Sequence, residues 1–320
     1  MKRVVILDDY QRVARDMADW SALDGAVEIV QLDRHIGDRD ALVDALAGAP
    51  IVVAMRERTP FDSDLFERLG DLRLLVTTGM VNRSIDLDAA KTNGIVVSGT
   101  PGSRGSAAEL AWALMLALSR RIPSEVEGFR SADPRWQRDL GLDLRGRTLG
   151  LAGFGNLGQR MARIGNAFDM EVCAWSRSLT DETAAEHGVS RMATLDDLLA
   201  ASDVVSIHLT QTSETIGLIG ARELGLMKPS AYLINTARGP IVDETALVAA
   251  LSDGRIAGAG LDVFDIEPLP VDHPFRTMEQ VVATPHLGYV TEETYRVYFA
   301  GAVEAIGGFL AGTPVNVLNP

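Results

Sequence analysis

The 320-residue chain has one cysteine, Cys173, so no disulfide can close within it and no multi-cysteine metal site is available. It also lacks a basic surplus. Its 30 Lys and Arg face 44 Asp and Glu, for a net charge of −14. A field of that sign repels nucleic acid and anionic membranes, and neither is expected as a partner. Long apolar runs are missing. The longest, from Leu110 to Leu118, is far too short to span a bilayer and fits a buried helix. The four apolar residues after Met1-Lys2-Arg3 are too few for a signal peptide, and with the lone cysteine they point to a cytoplasmic protein. No repeat or low-complexity stretch occurs. His35, His187 and His273 read as surface loop residues, and no metal site is expected.

What is present is an alternation of short apolar runs with amphipathic stretches, in two blocks. The first block has strand-like runs at 4–7, 27–30, 51–54, 72–76 and 95–97, with helical patterns such as Gln11 to Trp20 and Arg39 to Leu46 between them. This is the pattern of βαβ units in a parallel sheet. Asp8-Asp9 follows its first strand and reads as a capping turn. The breaker cluster 98–103 is the expected crossing to the next domain, and a helix from Ser106 to Arg120, apolar nearly all round, must be buried on most sides. From Thr148 the alternation restarts with about six further strands. A last helical stretch, Thr291 to Leu310, comes after the second sheet is complete, where it can return to pack on the first.

The second block opens with Thr148-Leu149-Gly150-Leu151-Ala152 and then Gly153-Phe154-Gly155-Asn156-Leu157-Gly158. Strand, glycine turn and helix in that order form a dinucleotide-binding fingerprint. The first glycine makes the turn, the second lets backbone approach a pyrophosphate, and the third lets helix pack on strand. In a doubly wound sheet, ligands sit beyond the carboxyl ends of the strands. Arg238, Asp262, Glu267 and His286 all follow such ends. An arginine can bind a carboxylate and polarise a carbonyl. A histidine can supply a proton, and a carboxylate can keep that histidine charged by raising its pKa. Together they suffice for hydride exchange with a 2-keto acid.

The runs Leu226-Met227-Lys228-Pro229, Ile234 to Gly239, Gly260 to Phe264 with Glu267-Pro268, and Thr284-Pro285-His286-Leu287-Gly288 resemble the D-isomer-specific 2-hydroxyacid dehydrogenases over nearly the whole chain. The resemblance implies an α/β fold of two doubly wound parallel-sheet domains with a cleft between them. A flavodoxin-like substrate domain would use residues 1–99 and 290–320, and a Rossmann NAD(P)-binding domain residues 100–289. Arg238, Glu267 and His286 match the catalytic arginine, glutamate and histidine, and Asp262 the residue that holds the nicotinamide carboxamide. Gly153, Gly155, Asn156, Leu157, Gly158, Ser176, Arg177, Leu209, Thr236 and Ala237 fall at cofactor positions. Gly79, Met80 and Val81 align with the loop whose N–H groups hold the substrate carboxylate, and Arg56 is a further candidate anchor. The implied assembly is a homodimer, and the implied substrates are small 2-keto or 2-hydroxy acids such as glyoxylate, hydroxypyruvate and phosphohydroxypyruvate.

Two positions depart from the family pattern. Members that prefer NAD carry an acidic residue at the end of the second strand, where this chain reads Ser176-Arg177, a pair suited to a 2′-phosphate. NADP is therefore favoured over NAD. Val81 stands where the loop commonly has a second glycine, and valine disfavours positive φ. Rival readings are a phosphite dehydrogenase-like enzyme, which keeps all three catalytic residues, and a dinucleotide-sensing module like the C-terminal-binding corepressors. Formate dehydrogenases lack the glutamate partner.

Overall fold

A computed structural model describes residues 1–102 and 105–320. Ser103, the last residue of the expected crossing, lies outside the described residues. The chain divides into two compact units, Met1–Arg104 with Val290–Pro320, and Gly105–Tyr289. The division falls a few residues beyond the boundary at 99/100 read from the sequence. Within the breaker cluster, Ser98 and Gly99 instead complete a strand.

The first unit is a five-stranded, wholly parallel sheet of β1 (Lys2–Ile6), β2 (Val27–Gln31), β3 (Ile51–Ala54), β4 (Leu74–Thr77) and β5 (Val96–Gly99), in the order β2-β1-β3-β4-β5. The central strands β3 and β4 are buried on both faces, which is why they read as unbroken apolar runs. Helices α1 (Arg39–Leu46), α2 (Ser63–Arg68) and α3 (Leu87–Thr92) begin at Asp38, Asp62 and Asp86. Each of these carboxylates accepts a first-turn N–H, from Ala41, Leu65 and Ala89. The C-terminal helix Glu292–Leu310 packs on β4 and β5 of this same sheet.

One expected element is absent. Gln11 to Trp20 forms turns, followed by a short 3-10 helix at Trp20–Leu23. Arg12 takes a left-handed φ of 56°, which interrupts a helix, and the Asp9 carboxylate takes the N–H groups of Val13 and Ala14. Two histidines also depart from expectation. His35 is mostly covered and pairs with Asp8, and His273 is mostly covered and pairs with Glu244.

The second unit is a seven-stranded parallel sheet of β6 (Thr148–Ala152), β7 (Glu171–Trp175), β8 (Ser190–Arg191), β9 (Val204–Ile207), β10 (Tyr232–Asn235), β11 (Gly258–Leu261) and β12 (Val281–Ala283), in the order β12-β11-β10-β9-β6-β7-β8. The two-residue edge strand β8 is too short and polar to stand out in the sequence. Strand order reverses at β6 and β9, so the switch point lies directly above the end of β6. Helix α4 (Ser106–Ser119) is buried against β10, β11 and β12, and also touches α5 (Ile122–Arg130) and α6 (Asn156–Ala167). This explains its nearly all-round apolar character. Cys173 lies in β7, 3% exposed, and burial pushes its thiol pKa up.

Candidate active site

The glycine turn follows β6, and close packing requires two of its glycines. Gly153 has φ 102°, and a Cβ on it would meet the His208 carbonyl oxygen at 2.5 Å. A Cβ on Gly158 would meet the Gly153 carbonyl oxygen at 2.4 Å, so α6 can lie this close to β6 only without one. Gly155 differs: a Cβ there would touch nothing within 4 Å. The space above it is free of protein. Gly155 also caps α6 without any side-chain bond, whereas α1, α2 and α3 are closed by aspartates. The first-turn N–H groups and the positive dipole end are thus left open, with Asn156 exposed and Leu157 half-buried beside them. This cradle fits a dinucleotide pyrophosphate.

The loops on both sides are tied to the turn. Gly153 N–H donates to the Trp175 carbonyl at 2.8 Å, at the end of β7, and His208 N–H donates to the Ala152 carbonyl at 2.7 Å, beyond β9. Beyond β7 stand Ser176, half-buried, and Arg177, exposed and paired with Glu214. Leu209 packs partly on the core. The His208 ring bonds Ser206 Oγ at 2.9 Å, and burial pushes its pKa down to about 4. Beyond β10, the Thr236 hydroxyl is buried and has no hydrogen-bond partner among the described residues. A bound group could satisfy it. Ala237 N–H donates to Asn235 Oδ1 at 3.1 Å, and Arg238 Nη1 donates to the Ala237 carbonyl at 2.6 Å. A Cβ on Gly239 would collide with the Phe264 carbonyl at 2.2 Å, so this glycine lets the Arg238 segment sit against the chain leaving β11.

That chain carries the acid–base pair. His286 Nδ1 donates to Glu267 Oε2 at 2.6 Å, and Glu267 Oε1 accepts the Phe264 N–H at 2.9 Å. With one carboxylate oxygen fixed by backbone, the other fixes the imidazole and leaves Nε2 as the available nitrogen. The His286 backbone is itself in the left-handed region, φ 55°, a conformation that a bulky side chain adopts at some cost. Asp262 holds it there. Its Oδ1 accepts from Thr284 Oγ at 2.6 Å and from Leu287 N–H at 2.6 Å, and its Oδ2 accepts from Gly288 N–H at 2.8 Å. Asp262 is fully buried, and desolvation pushes its pKa up, opposed by these bonds and by the charge of His286. Thr284 was not singled out in the sequence as a functional residue, although it belongs to the same Thr-Pro-His run. Glu214 carried no sequence signal at all.

The predicted substrate residues belong to the other unit and form their own group. Gly79 has φ 92°, and a Cβ on it would meet the Arg56 guanidinium, which bonds the Thr78 carbonyl at 3.1 Å. The Gly79 N–H donates to Thr100 Oγ at 3.0 Å, so it is already engaged within the protein. Met80 and Val81 are exposed, and Val81 is not among the described non-glycine residues with positive φ. Among the described residues, no three His, Cys, Asp or Glu side chains gather as metal ligands, and no helix is long and apolar enough to cross a membrane.

A doubly wound sheet with an open glycine turn above its switch point belongs with the dinucleotide-dependent oxidoreductases. A family model described as the D-isomer specific 2-hydroxyacid dehydrogenase NAD binding domain matches residues 112–288. The chain is a member of the D-isomer-specific 2-hydroxyacid dehydrogenase family, and is an oxidoreductase that acts on a CH–OH group with a nicotinamide cofactor. It is 42% identical to a glyoxylate reductase of Aeropyrum pernix over 81% of this chain and 79% of that one. It is 37% identical to a D-3-phosphoglycerate dehydrogenase of Archaeoglobus fulgidus over 83% of this chain, but spans only 51% of that longer protein. In structure it resembles a phosphoglycerate oxidoreductase of Vibrio cholerae, with a TM-score of 0.92, 34% identity, and coverage of 98% of this chain and 100% of that one.

Proposed function

We propose that this enzyme reduces a small 2-keto acid to the D-hydroxy acid, reversibly, with glyoxylate and hydroxypyruvate as the first substrates to test. The bond between His286 and Glu267 carries the reading. When bound, the nicotinamide supplies or accepts the hydride. His286 gives its Nε2 proton to the carbonyl oxygen as the alcohol forms and takes it back in the reverse direction. Glu267 holds the ring in place and compensates its charge. Arg238 binds the substrate carboxylate. Asp262 keeps the His286 loop in register and offers its remaining lone pair to the carboxamide. Arg56 and the Met80 and Val81 N–H groups serve as carboxylate anchors. The 42% identity to a glyoxylate reductase supports the choice of substrates. Phosphohydroxypyruvate is the third candidate, although the chain spans about half the length of the matched phosphoglycerate dehydrogenases.

The cofactor residues are Gly153, Gly155, Asn156, Leu157, Gly158, Ser176, Arg177, Leu209, Thr236 and Ala237. Ser176 and Arg177, in place of a carboxylate at the end of β7, support use of NADP(H) at least as well as NAD(H). A homodimer is supported by α5, which leaves Ile122, Val126 and Phe129 exposed along one side, with Phe129 against the exposed Trp136. The lone buried cysteine suits the reducing cytoplasm. The test is a panel of 2-keto acids assayed with NADH and NADPH. Turnover of small 2-keto acids is expected. Dinucleotide binding without turnover of any panel member would favour a sensor and overturn the enzymatic reading.

A further inference from the structure

Residues 176–178 follow β7 and residues 208–215 follow β9, and β6 lies between these two strands in the sheet. Adjacent strands are about 4.8 Å apart, so the two loops start about 10 Å from each other, one on each side of the glycine turn. The ion pair between Arg177 and Glu214 joins them. In doubly wound dinucleotide folds the adenosine ribose is held at the end of the strand that follows the glycine helix, here β7, so the pair stands beside that position. The Glu214 loop has a defined shape: Thr215 is 7% exposed, its hydroxyl donates to the Thr210 carbonyl at 2.8 Å, and it accepts the Thr212 N–H at 2.7 Å. The carboxylate is therefore delivered to Arg177 by a built turn, although both charged ends are about two-thirds exposed.

We propose that Glu214 is a determinant of cofactor choice, acting against the 2′-phosphate. The inference rests on the reading that Ser176 and Arg177 receive that phosphate. Arg177 pairs with Glu214 through Nη1 alone, so a phosphate taken by its other donors must lie near a carboxylate of the same sign and share the guanidinium with it. A ribose that carries only hydroxyls makes no such demand and can donate to Glu214. The chain thus supplies from the loop after β9 the acidic group that other members place at the end of β7.

The experiment is calorimetric titration of wild type, E214Q and R177A with NADP+ and with NAD+ at low ionic strength, where exposed charges are least screened. Both substituted side chains are exposed, and neither belongs to the acid–base pair. E214Q is expected to tighten NADP+ about three- to five-fold relative to NAD+, the range of one exposed ion pair. R177A is expected to weaken NADP+ selectively. If R177A behaves so while E214Q leaves the affinity ratio unchanged, the role of Glu214 is overturned and the phosphate site stands. If R177A leaves the ratio unchanged, the phosphate reading itself fails. A kcat/KM comparison with NADPH and NADH should follow the same ratio.

Discussion

The two sheets are built alike, yet their switch points are finished in opposite ways. In the five-stranded unit the chain leaves β1 through Asp8-Asp9, and both carboxylates are spent on the protein. Asp9 takes the N–H groups of Val13 and Ala14 together with the Gln31 amide, and Asp8 takes the Thr59 hydroxyl and His35. In the seven-stranded unit the chain leaves β6 through glycines, and the helix N–H groups that follow have no side-chain cap. The topology alone therefore does not make a dinucleotide site. What makes it is the decision, residue by residue, to leave backbone donors unsatisfied by protein. The first switch point is sealed and slightly strained, with Asp8 at φ 56°, and the second is open.

Several substitutions test this contrast. The largest effect is expected in the seven-stranded unit. His286→Ala should lower kcat by about 10²- to 10⁴-fold, the usual worth of a positioned acid–base group, while NAD(P)+ affinity measured by calorimetry stays near wild type. A near-normal rate would remove the histidine from the chemistry. Acid should act through His208, which is held neutral. Its folded pKa of about 4 lies below the unfolded value near 6.5. The stability tied to its neutral form is complete above about pH 6.5 and falls away as pH drops toward 4, by up to about 3 kcal/mol. Urea denaturation across that window should show the loss, and His208→Gln should flatten it.

Gly155→Val is the direct test of openness. The backbone there is extended, φ −79° and ψ −162°, and the new side chain meets no protein atom at its Cβ. The fold should keep its melting temperature while dinucleotide affinity falls by about 100-fold or more, since the side chain fills the space a pyrophosphate needs. Loss of stability with affinity retained would contradict the description of the second switch point as open. The smallest effect belongs to the sealed switch point. Asp9→Ala should cost about 1–2 kcal/mol of stability by uncapping two N–H groups and leave cofactor affinity unchanged.

Much of this contrast could be read in advance, for physical reasons that differ by residue. Strands buried on both faces appear as apolar runs, so β3, β4, β6 and β9 were plain in the sequence. Glycines forced by close approach, such as Gly153 and Gly158, carry their reason in their spacing. The region after β1 misled, because a helical spacing of apolar residues from Val13 to Trp20 was overridden by side-chain capping from Asp9 and the left-handed turn at Arg12. The links from Asp262 to Thr284, Leu287 and Gly288 were invisible, since their donors, one hydroxyl and two backbone N–H groups, lie 22, 25 and 26 positions away along the chain. Ion pairs between loops, such as Arg177 with Glu214, are invisible for the same reason.

Cys173 has a practical use. With 3% of its surface exposed and burial holding its thiol in the unreactive protonated form, it should ignore maleimide dyes under native conditions. A single cysteine engineered elsewhere on the surface would then be the one site labelled, with no need to remove the native thiol first. A fluorophore at the rim of the glycine turn could report dinucleotide arrival in real time.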